Sequence, residues 1–281
     1  ERLALAQALV DAKVANAMAL VRQRQPGDPL LDSLHEVRRL LPRAGSTAVL
    51  RGHEGQAAKL MFRWLNGQIL PALRPAFAAT RRSRGAPDRL NSMLNLSYHL
   101  LRSRLSILLR SRALNPYLGW LHDADDNYET LTYDLMEPFR PLVDRLVLRM
   151  VNRQELRVSH FDAGPGEFRL TPDGAARLVQ AFERALGERA GPHPWRDMLW
   201  VQVQAVARLA RGDGPFWVFH WQPRDKQPDP RAPAHDGPVL SLADADDLGD
   251  DNAPGLPWWP EHPASTDAAP TLPSADGAPP P

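Results

Sequence analysis

The chain has 281 residues, with 34 Lys+Arg against 33 Asp+Glu, 28 prolines and no cysteine. That length is ample for a buried core and admits one large domain or two small ones. The absence of cysteine excludes disulfide staples, thiolate nucleophiles and Cys-ligated zinc. No uninterrupted apolar run approaches the ~20 residues of a membrane span, so no membrane partner is expected. Starting at Glu1 without methionine or leader, the sequence reads as a piece of a longer intracellular protein.

The balanced charge hides a division. From Trp221 to Pro281 there are 11 acidic and 3 basic residues, a net −8, and the remainder carries +9. Only Lys13, Lys59 and Lys226 are lysines, so the basic charge is nearly all arginine. Arginine forks phosphate bidentately, which makes a polyanion such as nucleic acid a plausible partner. An arginine-rich codon bias would give the same count.

Helical periodicity begins at once. Residues 2–24 space Leu5, Leu9, Val10, Val14, Ala17, Met18 and Val21 at three-to-four intervals. Asp28-Pro29 opens a second helix carrying Leu31, Leu34, Val37 and Leu41. Ser46 or Thr47 caps a third, running to about Leu70. Residues 74–86 read as a basic loop. Pro87-Asp88 opens a long helix to about Arg112, whose wide apolar arc suggests the centre of a bundle. Another runs from near Asp134 to Asn152, Thr171-Pro172 starts one to Leu186, and Pro194-Trp195 starts the last, to Arg211. Strand signals are short, near 157–161, 167–170 and 216–221. The expected fold class is all-α, a bundle of about seven helices over residues 1–221. Residues 222–281 hold 14 of the prolines and no apolar periodicity, and read as a disordered tail. Within it, Trp258-Trp259 reads as a solubilising tail's incidental pair or as a short docking motif.

Three places carry candidate chemistry. On a wheel of about 100° per residue, the third helix puts Glu54 inside its apolar stripe with Leu50, Ala57, Met61 and Trp64. A carboxylate there is neutralised, paired or metal-bound, or it reaches solvent or an arginine from the stripe's edge. His122 ends the run Asn115-Pro-Tyr-Leu-Gly-Trp-Leu, in which Asn-Pro marks a turn and Gly119 permits close backbone approach. A core-edge histidine is a hydrogen-bonded packing residue or a ligand. Glu137, beside Asp134 and before Pro138, reads as a helix-start cap or as a ligand. Together, Glu54, His122 and Glu137 form a set suited to Mg²⁺ or Mn²⁺ and to phosphodiester chemistry. A calcium loop over Asp123, Asp125, Asn127 and Asp134 fails, because Tyr128 stands where glycine is needed and no closing glutamate follows. No GxxxxGK[ST], GxGxxG, GxSxG or HExxH occurs.

At these residues the sequence resembles the CRISPR-associated Cas1 family, the spacer-acquisition integrases. Leu50-Arg-Gly-His-Glu54-Gly-Gln-Ala57, Asp88-Arg-Leu-Asn91 with Ser97-Tyr98, Leu114 to His122, and Asp134-Leu-Met-Glu137-Pro-Phe-Arg140-Pro carry the resemblance in order. Asn152-Arg153, Phe161 and Leu170-Thr171-Pro-Asp-Gly174 continue it, over roughly residues 5–220. The resemblance implies an α-helical catalytic domain of a metal-dependent DNA endonuclease and integrase. Glu54, His122 and Glu137 would be both catalytic residues and ligands of Mg²⁺ or Mn²⁺, with Arg140 facing DNA phosphate. Arg81, Arg82 and Arg84 are expected to contact the DNA backbone, or else to form a solvated loop. The implied chemistry joins the 3′-hydroxyl of a captured DNA fragment to the CRISPR repeat by transesterification. Implied partners are the small dimeric Cas2, a second copy in the full-length protein, and in some arrangements an upstream fused reverse transcriptase domain. The implied setting is the prokaryotic cytoplasm. Two further readings stand beside it: a catalytically inactive helical nucleic-acid-binding or scaffold domain, and a helical interaction protein that binds no nucleic acid.

Overall fold

The first helix, α1 (Arg2–Arg24), is buried on most of its sides: Leu9, Val10, Ala12, Val14, Met18, Leu20 and Val21 are each at most 1% exposed. By length and a mean hydropathy of 1.3 it could cross a membrane, but 61% of that apolar window is buried in the protein. It is a core helix, packed against α2 (Leu30–Leu40), α3 (Thr47–Gly67), the 3₁₀ turn Glu137–Phe139 and α7 (Arg140–Asn152).

The computed structural model describes residues 1–77, 86–123, 128–164, 167–189 and 193–222, all within one contact unit, Glu1–Pro238. Arg81, Arg82 and Arg84, like Trp258, Trp259 and residues 223–281 of the acidic tail, lie outside the described residues. Helices dominate the described residues, as the periodicity requires. A one-turn α4 (Arg74–Phe77) occupies the start of the stretch read as a basic loop. The long α5 (Arg89–Ser111) packs against α6 (Thr130–Met136), α7, α8 (Pro172–Leu186) and α9 (Trp195–Arg211). The bundle therefore has two axial helices, α1 and α5, where the sequence pointed to α5 alone.

Side chains set the helix starts. Ser46 Oγ accepts from Val49 N–H at 3.3 Å, Asp88 Oδ1 from Asn91 N–H at 2.8 Å, and Thr171 Oγ1 from Gly174 N–H at 3.1 Å. Each satisfies one of the donors that an α-helix leaves open at its start. The helix expected from Asp134 to Asn152 is instead α6, the 137–139 turn and α7 in succession. Pro138 and Pro141 lack the N–H that would continue the ladder, so the chain breaks and re-aims there.

The strand signals divide three ways. β1 (Phe161–Gly164) and β2 (Glu167–Leu170) form an antiparallel hairpin in the register Phe161 with Leu170 and Gly164 with Glu167. Residues 158–160 are a 3₁₀ turn. Residues 216–221 are not a strand: side-chain amides replace a partner strand. Gln202 donates to Trp217 O at 2.9 Å and accepts from Phe219 N–H at 2.9 Å. Asn16, 1% exposed on α1, donates to Phe219 O and Pro138 O and accepts from Trp221 N–H. Phe219 stacks on Phe139 at 4.5 Å.

Removing the Asn16 amide orphans three buried backbone groups at one to three kcal/mol each in the worst case. Asn16→Ala is expected to lower unfolding free energy by about 2–4 kcal/mol, measured in urea, and to expose residues 216–221 to proteolysis. Asp11, also on α1, receives Arg38 through Nε at 2.6 Å and Nη2 at 2.8 Å, and lies 3.9 Å from His220 Nε2. Burial pushes its carboxyl up, but His220 and Arg38 outweigh burial and bring it from 3.8 to about 2. A depressed carboxylate stabilises above its unfolded pKa and loses that contribution as pH falls through its folded pKa. Asp11→Asn should therefore cost about 1–2 kcal/mol near neutrality, and the gap from wild type should close between about pH 4 and 2 in urea titrations.

Candidate active site

The third helix carries Glu54 beside the buried residues Leu50, Ala57, Met61 and Leu65, at the edge of the stripe where the wheel puts it inside. Trp64 turns partly outward and donates its indole N–H to Asp28 Oδ2 at 2.9 Å. Glu54 is 22% exposed, and its ion-pair partner among the described residues is a lysine. Its Oε1 receives the ammonium of Lys13 from α1. The same Nζ lies 2.5 Å from Glu137 Oε2. Two carboxylates from distant parts of the chain thus converge on one cation that is 13% exposed.

Glu137 closes α6 through its backbone and begins the 137–139 turn; its side chain is 4% exposed and is given to Lys13 and Arg140 instead of to a helix start. Its second oxygen, Oε1, accepts from Arg140 Nε at 2.8 Å. The Arg140 guanidinium also lies 4.8 Å over the Tyr98 ring, whose hydroxyl donates to Asp144 at 2.5 Å. Arg140 is therefore held by Glu137 and Tyr98 and is 23% exposed. Burial pushes the Glu137 carboxyl up, but Arg140 and Lys13 outweigh it and hold the group at about 2. Burial opposes the charge on Lys13 too, yet Glu137 and Glu54 keep its pKa above the usual lysine value. The result is an ionised, mutually compensated cluster in a mostly dry place.

His122 stands on a loop fastened from both sides. Asn115 Oδ1 accepts from Tyr117 N–H at 3.0 Å, the turn expected of Asn-Pro. Thr130 Oγ1 donates to Tyr117 O at 2.6 Å and accepts from Gly119 N–H at 2.9 Å, tying the loop to the start of α6. A Cβ on residue 119 would meet Asp134 Oδ2 at 2.7 Å and the Thr130 carbonyl carbon at 2.8 Å, so only glycine fits. Arg2 donates to Trp120 O and His122 O, each at 3.0 Å, and Arg51 pairs with Asp123 at 2.9 Å.

Asp134, wholly buried, is the anchor of this loop. It accepts from the backbone N–H groups of Trp120 at 2.5 Å, Leu121 at 2.8 Å and His122 at 3.3 Å. His122 Nδ1 lies 2.6 Å from Asp134 Oδ1. A carboxylate only accepts, so Nδ1 carries the proton and Nε2 is the nitrogen left for a ligand. Burial opposes charging the ring, but Asp134, with Glu137 adding to it, raises the His122 pKa. His122 and Glu137 are thus within electrostatic range of one another. Among the described residues, however, no three His, Asp or Glu side chains are close enough to hold one ion as placed. The cation between the two glutamates is Lys13.

Comparison with known proteins decides the family. The family model described as "CRISPR associated protein Cas1" matches residues 1–184. The chain belongs to the Cas1 family. A CRISPR-associated endonuclease Cas1 of Leptospira interrogans is 29% identical over 241 residues, covering 79% of this chain and 94% of that protein. A Cas4/Cas1 fusion of Rhodospirillum rubrum is 35% identical over 240 residues, and there the chain spans 41% of the relative. Among solved structures, a Cas1 protein from Thermotoga maritima superposes with a TM-score of 0.70 at 23% identity, covering 78% of this chain and 68% of that one. A casposase bound to an integration product gives 0.67 at 24%, covering 76% of this chain and 65% of that one. A chain of a Cas6-RT-Cas1–Cas2 complex gives 0.69 at 22%, covering 78% of this chain and 25% of that one. These three likenesses establish that the Cas1 fold is shared.

In this Cas1 chain the residues singled out from sequence fall into two linked groups. Glu54 and Glu137 meet on Lys13, and Arg140 joins them through Glu137. His122 adjoins through Asp134, one turn before Glu137. Lys13 itself was not picked out, although it stands on an apolar stripe with Leu9, Val10 and Ala17, where a charge demands a partner. The roles of Asp134 and His122 separate by mutation. Asp134→Ala leaves one buried and two part-buried N–H groups without their acceptor and should cost about 2–4 kcal/mol in urea unfolding. His122→Ala, at a side chain 31% exposed, should cost under about 1 kcal/mol.

Proposed function

We propose that this chain is the catalytic domain of a divalent-metal-dependent DNA endonuclease and integrase of CRISPR adaptation. In this reading it joins the 3′-hydroxyl of a captured DNA fragment to the CRISPR repeat by transesterification. The observation that carries the proposal is the convergence of Glu54 and Glu137 on one buried cation, next to an imidazole whose outward nitrogen is left for a ligand.

The donor set fits Mg²⁺ or Mn²⁺: two carboxylates around an existing positive charge, and an imidazole oriented by a carboxylate behind it. Glu54, Glu137 and His122 Nε2 would hold the ion. When bound, it supplies Lewis-acid polarisation of the phosphodiester and lowers the pKa of the attacking hydroxyl. The chain's own residues do the positioning. Asp134 fixes the tautomer and direction of His122. Gly119 lets the loop lie against Asp134 and Thr130 without a clash. Tyr98 and Glu137 hold the guanidinium of Arg140 beside Glu137, and its remaining N–H groups are assigned to a DNA phosphate. Arg81, Arg82 and Arg84, adjoining the start of α5 in sequence, are assigned to DNA backbone contact.

The likeness to a casposase bound to an integration product, and to an RT-Cas1–Cas2 assembly, supports DNA and Cas2 as partners. We assign the working assembly a second copy of the chain, in some proteins an upstream reverse transcriptase domain, and a cytoplasmic prokaryotic setting. The rival, an inactive nucleic-acid-binding domain, shares salt-dependent DNA binding, because both release counterions from phosphate. Only the proposed enzyme needs Mn²⁺ or Mg²⁺ to nick a supercoiled plasmid or to join a duplex oligonucleotide to it. Glu54→Gln and His122→Ala are expected to lower the rate of that reaction by at least about 10²-fold while leaving helicity by circular dichroism unchanged. Equal metal-free and metal-loaded rates, or activity persisting in both variants, would refute the enzyme reading.

A further inference from the structure

Lys13 is the unexpected member of the site. Of 34 basic residues in the chain only three are lysine, and one of them lies between the two acids. Lys59, the other lysine among the described residues, is exposed on α3. The contrast with arginine is chemical. A guanidinium grips a carboxylate with a planar fork and keeps its charge and hydrogen bonds in fixed directions. An ammonium is a compact point charge on a flexible four-carbon stem, closer in kind to a metal ion. Arg140 takes the fork position, donating through Nε to Oε1 of Glu137. Lys13 takes the central one, touching Oε2 of the same residue and Oε1 of Glu54.

We propose that Lys13 is the internal counter-ion of the acid pair, and that a divalent cation enters this site by displacing its ammonium from Glu54 and Glu137. The inference rests on the metal-site reading above and adds to it a competition within the chain. It accounts for two features together: the acid pair is compensated without an ion, and no three-ligand cluster is pre-assembled among the described residues. Metal affinity is then set by the difference between two cations for the same oxygens. Every increment by which Lys13 stabilises the metal-free protein is subtracted from metal binding. Lys13 is thus a positioning residue for the metal-free site.

The test compares the whole chain with Lys13→Met, Lys59→Met, Glu54→Gln and Glu137→Gln, without DNA. Mn²⁺ affinity is read by calorimetry and by the electron paramagnetic resonance signal of free Mn²⁺, and Tm is read in chelator and in Mn²⁺. Lys13→Met keeps the stem's length and removes the charge. Its Tm in chelator should fall by about 5–10 °C, since two buried carboxylates lose their partner. Its Mn²⁺ affinity should rise at least about tenfold, with a correspondingly larger Mn²⁺-induced rise in Tm. Lys59→Met should change neither. Unchanged or weaker Mn²⁺ binding in Lys13→Met overturns the inference. If Glu54→Gln and Glu137→Gln bind Mn²⁺ as wild type does, the metal-site reading fails, and the inference with it. If they bind weakly while Lys13→Met gains nothing, only the inference fails. A wild-type measurement covers the case in which Lys13→Met does not fold. With three lysines in the chain, ¹⁵N-lysine NMR resolves each ammonium. Addition of Mg²⁺ should move the Lys13 signal and leave Lys59 in place. A Lys13 signal unmoved at saturating Mg²⁺ refutes displacement.

Discussion

Two carboxylates that share a mostly dry place repel one another by several kcal/mol at the effective dielectric of a protein, unless a cation stands between them. Helix α3, which carries Glu54, and the turn that carries Glu137 can therefore approach only where a positive charge accompanies them. The charge comes from Lys13, so α1 must run between them, and its long apolar faces are buried in doing so. Removing one partner of such a group strands the others, whereas the complete set is close to neutral in energy. The site and the placement of α1 are one constraint.

The same helix holds much else. Asp11 reaches Arg38 on α2, and Arg2 reaches the carbonyls of Trp120 and His122. Asn16, less than one turn beyond Lys13, gathers the Pro138 carbonyl and the backbone of residues 219 and 221. Pro138 follows Glu137 directly, so the amide that ties down the C-terminal segment also fixes the turn that presents Glu137 to Lys13. Polar groups this deeply buried are tolerated because each is matched by a partner.

His122 is oriented by a second device that does not depend on α1 alone. Asp134 draws three successive backbone N–H groups and one imidazole N–H onto its two oxygens. Gly119 allows the loop to come within contact of that carboxylate, and Thr130 ties the loop to the start of α6. Asp134 and Glu137 are one helical turn apart, so a single short segment aims the histidine with one acid and meets Lys13 and Arg140 with the other. Fastening His122 and its loop backbone to the buried Asp134 keeps the imidazole's geometry from being averaged away by loop motion.

Much of this was legible in the residues themselves. The apolar spacing of residues 2–24 and 89–111, and the caps Ser46, Asp88 and Thr171, depend on local periodicity and short-range hydrogen bonds, and these the chain carries in its order. Glu54 announced itself as a carboxylate on an apolar stripe, and Gly119 as a point of close approach. Glu137 read as a helix-start cap or as a ligand, because Pro138 looks from sequence like the first turn of a helix. Its true partners, Lys13 and Arg140, lie one across the fold and one a turn onward. The helix boundary there, the strandless course of residues 216–221, and the choice of Lys13 over an arginine as the acids' partner are long-range matters. Local order determined which segments coil and which charges would be expensive to bury. Only tertiary packing decided which charge answers which, because compensation of a buried ion is a property of the space around it and not of its neighbours in the chain.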